Sequence, residues 1–357
     1  MMTQIITIKL KLYKPTHEKE KMYQLMTDRV TAFANKYISL EKKDRPKTSR
    51  QAKAYSEPLP SAVLTQAIRD INAKKDPKHF KRLWCNFNNQ NFKVEKENGN
   101  WKVSFPTLEK RIGVPIETSE RQNDYLEKLV NGEVKQGTAM LVKRRGKWYI
   151  HLSIEISIEE KPKGREKIIG IDLGLINILV AETEGQTLFF SGGRLAYIRR
   201  HFKSLRSRLM KAKAYKKLKE SEDREHRIVT DINHKISRAV IDFAKEQGIT
   251  KIRMEDLTGA RWEMKQKKKQ RQDNGKSLQS WSFYQLQEFI EYKAILAGIE
   301  VEYVNKDNTS MICSVCGHKF TSRPKGRMFK CPFCGSIRHI DANAARNIAK
   351  AISGIAS

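Results

Sequence analysis

The sequence predicts an α/β fold preceded by a mainly β body, and three observations carry that reading. Several runs in the first half alternate apolar and polar residues with a period of two. The second half interleaves short apolar runs with long basic amphipathic stretches, the signature of strands alternating with helices. Two CxxCG units lie near the end, just before a last helical segment. With 357 residues the chain exceeds what one compact core usually takes, so two or more domains are expected.

In the opening run Ile6, Ile8, Leu10 and Leu12 face one way, while Thr7, Lys9, Lys11 and Tyr13 face the other. A helix follows from Thr16, its N-cap, to about Tyr37, with Glu18 near the positive helix end. A second helix is expected from Ser61, after Pro58 and Pro60, and a third from Pro77 to Asn88. Strands follow at Trp101–Phe105 and Thr138–Arg144. The Arg145-Gly146 turn then leads into Trp148–Ile158, where Trp148, Ile150, Leu152, Ile154 and Ile156 alternate with polar residues. The first half therefore reads as a small β-barrel or curled sheet interrupted by a helical insert. The charged stretch EEKPKGREK, 159–167, marks the domain boundary.

Beyond it, Ile168–Ile171 is a short strand ending in Asp172-Leu173-Gly174, and the strands Asn177–Glu182 and Thr187–Ser191 flank a turn at Gly185. Basic helices are expected over Leu195–Lys219 and Arg224–Gln247, then a strand Lys251–Met254 reaching Glu255. A lysine-rich loop carries Lys265, Lys267, Lys268, Lys269 and Arg271; a lid is one reading and a solvated loop the other. A helix from Ser282 to Ala297, a strand Ile299–Val304, the cysteine units and a helix from Asp341 to about Ile352 complete the order. Three strands, helix, strand, helix, strand, helix is the order of an RNase H-like domain.

Lys and Arg outnumber Asp and Glu by 70 to 40, a net charge of +30, which calls for a polyanionic partner, nucleic acid first. No apolar run approaches the roughly 20 residues that span a bilayer, so no membrane association is expected. The alternating start does not resemble a signal peptide, and an intracellular, cytoplasmic protein is expected. Four of the five cysteines belong to the CxxC units, and Cys85 beside Trp84 is expected to be a buried thiol.

Asp172 and Glu255 fall just beyond the carboxyl ends of strands, where open α/β sheets place their ligands. Asp341 opens a helix, whose dipole favours an anion there. Singly, Asp172 could be a turn former, Glu255 a solvated acid beside Asp256, and Asp341 an N-cap. Their conjunction on a basic chain points to a carboxylate cage for two Mg²⁺ ions roughly 4 Å apart, the arrangement that cuts phosphodiesters. Cys313, Cys316, Cys331 and Cys334 have the spacing of a tetrahedral zinc site. Four thiolates leave no open position, so this one Zn²⁺ is expected to be structural. Two such pairs so close favour chelation over dithiol redox chemistry.

The runs GIDLG, MEDLTG, SFYQLQEFIEYKAILAGIEVEYVNKDNTSMICSVCG and CPFCGSIRHIDANAARNIA resemble the TnpB proteins of insertion sequences, relatives of the compact type V CRISPR effectors. In the first half TIKLKLYKPTHEKEKMYQLM and LPSAVLTQAIRDI resemble the family's opening strand and recognition helix. The resemblance implies a wedge β-barrel over 1–15 and 96–160 with a helical recognition insert over 16–95. It further implies a RuvC nuclease domain over 161–310 and 337–357, split by a zinc ribbon over 311–336. The family's RuvC acids fall on Asp172, Glu255 and Asp341. Candidate nucleic-acid contacts are Gln66, Arg69, Lys267, Lys268, Lys269 and Arg346. Asn343, Arg346 and Asn347 match the end of the last motif, where they position phosphate or metal-bound water, or pack the helix.

The resemblance implies an RNA-guided DNA endonuclease with a guide RNA and target double-stranded DNA as partners, located with the prokaryotic nucleoid. A monomer is favoured over a dimer. The acid-Arg pair that often precedes the last Asp is His339-Ile340 here, which leaves those two side chains without the family's role. Alternatives are a compact type V CRISPR effector, a non-cleaving RNA-guided DNA-binding protein, and an actin-like ATPase or sugar kinase, since a DxG turn after a strand also grips phosphate.

Overall fold

The opening alternation forms strand β1, Met2–Leu12, which buries Ile8, Leu10 and Leu12 and leaves Lys9 in solvent. The structure is a computed structural model that describes residues 2–158, 166–257, 283–304, 311–320 and 326–351, in two units, Met1–Ser157 and Ile158–Ser357.

In the first unit β1 is followed by α1 (His17–Ser39), α2 (Ser49–Ala52), α3 (Ser61–Asn72), β2 (Cys85–Phe87), β3 (Lys93–Glu97), β4 (Asn100–Pro106), β5 (Arg111–Glu117), α4 (Glu120–Val130), β6 (Lys135–Arg144) and β7 (Lys147–Ile158). Thr16 caps α1 by accepting from the Lys19 amide at 3.4 Å. The helix buries Tyr23, Met26, Val30, Phe33 and Tyr37, three and four residues apart, as one apolar face. That face lies against the sheet, with the Tyr23 and Trp148 rings edge-on at 5.3 Å. Each such side chain contributes about 1.5–3 kcal/mol by leaving water.

The strands form one seven-stranded sheet, β2-β6-β7-β1-β5-β4-β3. It curls on itself: Phe87 of edge strand β2 comes within 5.2 Å of Phe105 of β4, and Phe92 stacks on Phe105 at 6.4 Å. Cys85 is fully buried, and burial pushes its thiol up to about 12, which leaves it protonated and inert.

The helix expected over 77–88 does not form. Asp76 enters the left-handed region at φ 45°, and the chain then runs alongside α1, exchanging hydrogen bonds between Phe80 and Asn35 and between Leu83 and Thr31. Residues 85–87 are drawn into the sheet opposite Leu141–Ala139 of β6. Tertiary pairing overrides a weak helical pattern. Helix α4 has a sequence signal of its own, a capping box in which the Ser119 amide donates to the Gln122 side chain at 2.8 Å.

The second unit contains β8 (Ile168–Asp172), β9 (Asn177–Thr183), β10 (Gln186–Ser191), α5 (Gly193–Lys211), α6 (Tyr215–Glu246), β11 (Lys251–Glu255), α7 (Phe283–Leu296), β12 (Glu300–Val304), β13 (Met328–Lys330), β14 (Ile337–His339) and α8 (Ile340–Lys350). The sheet order is β10-β9-β8-β11-β12, with β8, β9 and β10 antiparallel and β11 and β12 parallel to β8. This is the RNase H-like arrangement that the element order implied. One face, with Ile169, Ile171, Ile252 and Met254, buries against α6 and α7 through residues such as Val240 and Ile290. Helix α8 lies on the other face, where Val180 packs against Ala342 and Ala345.

The break between the two basic helices falls at 212–214 and not near 220–223. Lys213 adopts φ 52° and the Ala214 amide bonds the Leu209 carbonyl at 3.0 Å, a Schellman-type stop. The polar run after it stays helical because Glu225 is buried between Arg199, at 2.9 Å, and Arg206.

Candidate functional site

Strand parity decides which side chains share the α8 face. The register of β8 with β11 ends at Ile171 opposite Met254, so Asp172 and Glu255 occupy the next rung, side by side at the carboxyl ends of two parallel strands. Ile171 and Met254 point into the α6/α7 core, which turns Asp172 and Glu255 to the face that carries α8. Gln287 of α7, itself buried, donates to the Glu255 carbonyl at 2.8 Å, and the Asp256 amide continues the ladder to the Val304 carbonyl at 2.9 Å.

Helix α8 reaches this face because β8 has a glycine at the crossing. A Cβ built on Gly170 would stand 1.9 Å from the Ala345 carbonyl oxygen and 2.5 Å from the Ala349 amide nitrogen. Arg253 of β11 donates to the Ala349 carbonyl at 2.7 Å and ties down the far end of the helix. Asp341 lies one turn before Ala345, and the Asn177 amide donates to its Oδ2 at 2.8 Å. Asn177 opens β9, just past the end of β8, so α8 delivers Asp341 to the end of the sheet where Asp172 and Glu255 stand. The His339 imidazole caps the helix, its Nδ1 accepting from the Asp341 amide at 3.2 Å. The three acids thus share one face and one end of the sheet.

Among the described residues, the one group of three or more metal-ligating side chains whose donor atoms all lie within 4.8 Å of one another is Cys313, Cys316, Cys331 and Cys334. Cys313 and Cys334 sulfurs stand 3.8 Å apart, and Cys316 and Cys331 sulfurs 3.7 Å. Four sulfurs at about 2.3 Å from a tetrahedral zinc stand about 3.8 Å from one another, so the cluster has the right size. Gly317 and Gly335, at φ 77° and 74°, allow each knuckle to close its amide onto the carbonyl of Cys313 or Cys331 at 2.9 Å. Burial pushes the Cys313 thiol up, but hydrogen bonds from the Cys316 amide and the Ser336 hydroxyl more than offset it and bring the thiol down to about 6.

The two asparagines of the last motif face this cluster and not the acids. Asn343 accepts from the Ser314 amide at 2.8 Å and donates to the Ile312 carbonyl at 2.7 Å; Asn347 donates to the same carbonyl at 2.7 Å, and Lys350 to Ser314 O at 2.6 Å. One stripe of α8 therefore clamps the first knuckle. Arg346 stands 4.0 Å from buried Glu182, which also holds Arg338 at 3.5 Å and accepts from Thr187. In α3, Gln66 donates to Asp70 at 3.1 Å, whose other oxygen accepts from Asn86 at 2.5 Å, while Arg69 is exposed. Lys267, Lys268 and Lys269 lie outside the described residues. Asn177, Gly170 and Glu182 were not singled out from sequence, because their roles depend on strand register.

Comparison with known proteins bears on both halves of this unit. A family described as "Probable transposase" matches residues 151–261, and one described as "Cas12f1-like, TNB domain" matches residues 283–348. The chain is 32% identical to a TnpB-like protein of Methanocaldococcus jannaschii over 262 residues, covering 70% of this chain and 89% of that protein. It is 30% identical to a CRISPR-associated endodeoxyribonuclease Cas12f1 of Sulfoacidibacillus thermotolerans over 262 residues, or 68% of this chain, but the match spans only 60% of that relative's length. Among solved structures, one described as a Cas12f1-sgRNA-target DNA complex shares the fold with a TM-score of 0.71 at 17% identity, covering 94% of this chain and 83% of that one. No helix among the described residues is long and apolar enough to cross a membrane.

Proposed function

The chain belongs to the family of TnpB-like proteins, and from that premise we propose that it is an RNA-guided DNA endonuclease whose catalytic residues are Asp172, Glu255 and Asp341. The observation that carries the reading is the rung shared by Asp172 and Glu255, with Asp341 brought to the same end by α8. The similarity to a named endodeoxyribonuclease supports the reaction class, and a charge of +30 supports nucleic-acid partners.

The donor set suits two Mg²⁺ ions, since hard cations take carboxylate oxygens. Carboxylates brought to one end of the sheet by two neighbouring strands and a helix are the kind of donor set that holds a pair of ions roughly 4 Å apart. Bound there, the ions would supply positive charge to the attacking and leaving oxygens of the phosphodiester. Asp172 and Glu255, on adjacent strands, would hold them on rigid backbone, and Asn177 would fix the rotamer of Asp341. The cysteine cluster would hold one structural Zn²⁺, with all four positions taken by protein.

In this reading a guide RNA supplies sequence specificity by pairing, and the protein reads duplex geometry and a short adjacent motif of double-stranded target DNA. Arg69 and Arg346 remain proposed contacts to phosphate, and the lysines at 267–269 keep the same proposed role. The protein would act as a monomer in the prokaryotic cytoplasm. The test is to purify the chain from its host, sequence the RNA that accompanies it, and offer DNA complementary to that RNA with Mg²⁺. Cleavage by the wild type and none by Asp172→Ala is the expected result; binding without cleavage by the wild type would replace the proposal with a guided binding protein.

A further inference from the structure

The rung that holds the acids continues across the sheet. Asp172 pairs with Val180, and Val180 pairs with Phe189 of edge strand β10, so all three side chains rise from the α8 face. Across two strand spacings Phe189 is about 10 Å from Asp172. Its neighbours Leu188 and Phe190 turn to the opposite core, whereas Phe189 is 43% exposed. Among the described residues the ring set against it is His339, edge-to-face at 5.2 Å and 77°. The imidazole is itself immobilised, because its Nδ1 caps the helix that carries Asp341. What sets Phe189 apart from other exposed aromatic rings is its place on the rung of Asp172, beside the imidazole that caps the helix carrying Asp341.

We propose that Phe189, braced by His339, is a stacking platform for an unpaired DNA base next to the phosphate cut at Asp172, Glu255 and Asp341. The inference rests on the nuclease reading above. A single strand offers such a surface the face of a base, while a paired duplex keeps its base faces covered by neighbouring bases. Phe189 is thus a positioning residue: holding the adjoining base sets the phosphate against the acids and selects single-stranded DNA at the centre. Its position on β10 makes the contact part of the same rigid sheet that carries Asp172 and Glu255.

The test uses the full chain loaded with its accompanying RNA and two readouts. In the first, single-turnover cleavage of complementary DNA is compared for the wild type, Phe189→Ala and Phe189→Trp. The expected result is about a tenfold slower maximal rate for Phe189→Ala, from the loss of one base stack, with DNA affinity and melting temperature unchanged and the rate restored by Phe189→Trp. In the second, 2-aminopurine replaces the base beside the mapped cut site in DNA bound to the cleavage-dead Asp172→Ala chain. Its fluorescence should be quenched with Phe189 present and recover in the Asp172→Ala/Phe189→Ala double variant. A Phe189→Ala chain that cuts at the wild-type rate, or equal quenching with and without the ring, overturns the platform and leaves the nuclease reading standing. A wild-type chain that cuts nothing overturns both, and the two failures are told apart by the wild-type lane alone.

Discussion

The Asn177 side-chain amide donates to Asp341 Oδ2 across 2.8 Å, joining the first residue of β9 to the first turn of α8 although 164 positions separate them. The docking of α8 brings the last acid of the sequence to the strand end where the first one stands, and this contact fixes its side chain there.

Removing that contact should misplace Asp341 without disturbing the rest. A hydrogen bond to a carboxylate contributes about 1.5–3 kcal/mol, so Asn177→Ala is expected to cut DNA at least tenfold more slowly than the wild type. RNA retention, measured by gel shift, should be unchanged. Equal cleavage rates would remove Asn177 from the account.

Gly170 gives a sharper test of the α8 docking. Adding a methyl group drives a Cβ to 1.9 Å from one backbone atom of α8 and 2.5 Å from another, and neither can swing aside as a flexible side chain would. Gly170→Ala should therefore lower stability by at least the 1–3 kcal/mol typical of overpacking and abolish cleavage. Gly113→Ala is the control, because its nearest neighbour is Lys102 Cδ at 3.8 Å. Thermal melts that shift equally for both variants would contradict the close crossing.

For the cysteine cluster, elemental analysis of the purified chain should find one zinc per molecule, lost in Cys331→Ser or after treatment with a strong chelator. Because Asn343, Asn347 and Lys350 of α8 grip the backbone of the first knuckle, the same loss should loosen α8 and lower the melting temperature. Zinc content unchanged by Cys331→Ser would show that the four sulfurs do not act as one site.

His151 links the first unit to pH. Burial, aided by Lys9 and Arg144, brings its imidazole from the ordinary 6.5 down to about 4. Below pH 6.5 the unfolded chain takes up a proton that the folded chain refuses, so this residue favours folding fully above that value and progressively less as pH falls toward 4. Urea melts should show stability dropping between pH 7 and 5, with a shallower slope in His151→Gln. Identical slopes would mean that His151 is protonated equally in both states.

Much of the second unit was legible because its signals are local. The runs around Asp172 and Glu255 are short and apolar with an acid at the end, and two CxxCG units carry their geometry in four residues. What stayed hidden depends on pairing between distant segments. Phe189 is one of two adjacent phenylalanines, and only the β9 register tells which of them faces the acids. Asn343 and Asn347 sit in a motif beside Asp341, yet helix geometry turns them onto the knuckle. The segment at 77–88 has a helix-like pattern but forms no helix, because its hydrogen bonds go to Thr31 and Asn35, which no local pattern reveals. Helix α4, by contrast, had a readable start in Ser119 and Gln122.

If Asp172, Glu255 and Asp341 form one metal-dependent nuclease centre, removing a single carboxylate must separate binding from cutting. The decisive comparison is Mg²⁺-dependent cleavage of guide-complementary DNA by the RNA-loaded wild type and by Asp172→Ala, with DNA binding recorded in parallel. The variant is expected to bind as the wild type does and to cut nothing. Cleavage by the variant at the wild-type rate would show that the three acids are not the nuclease centre.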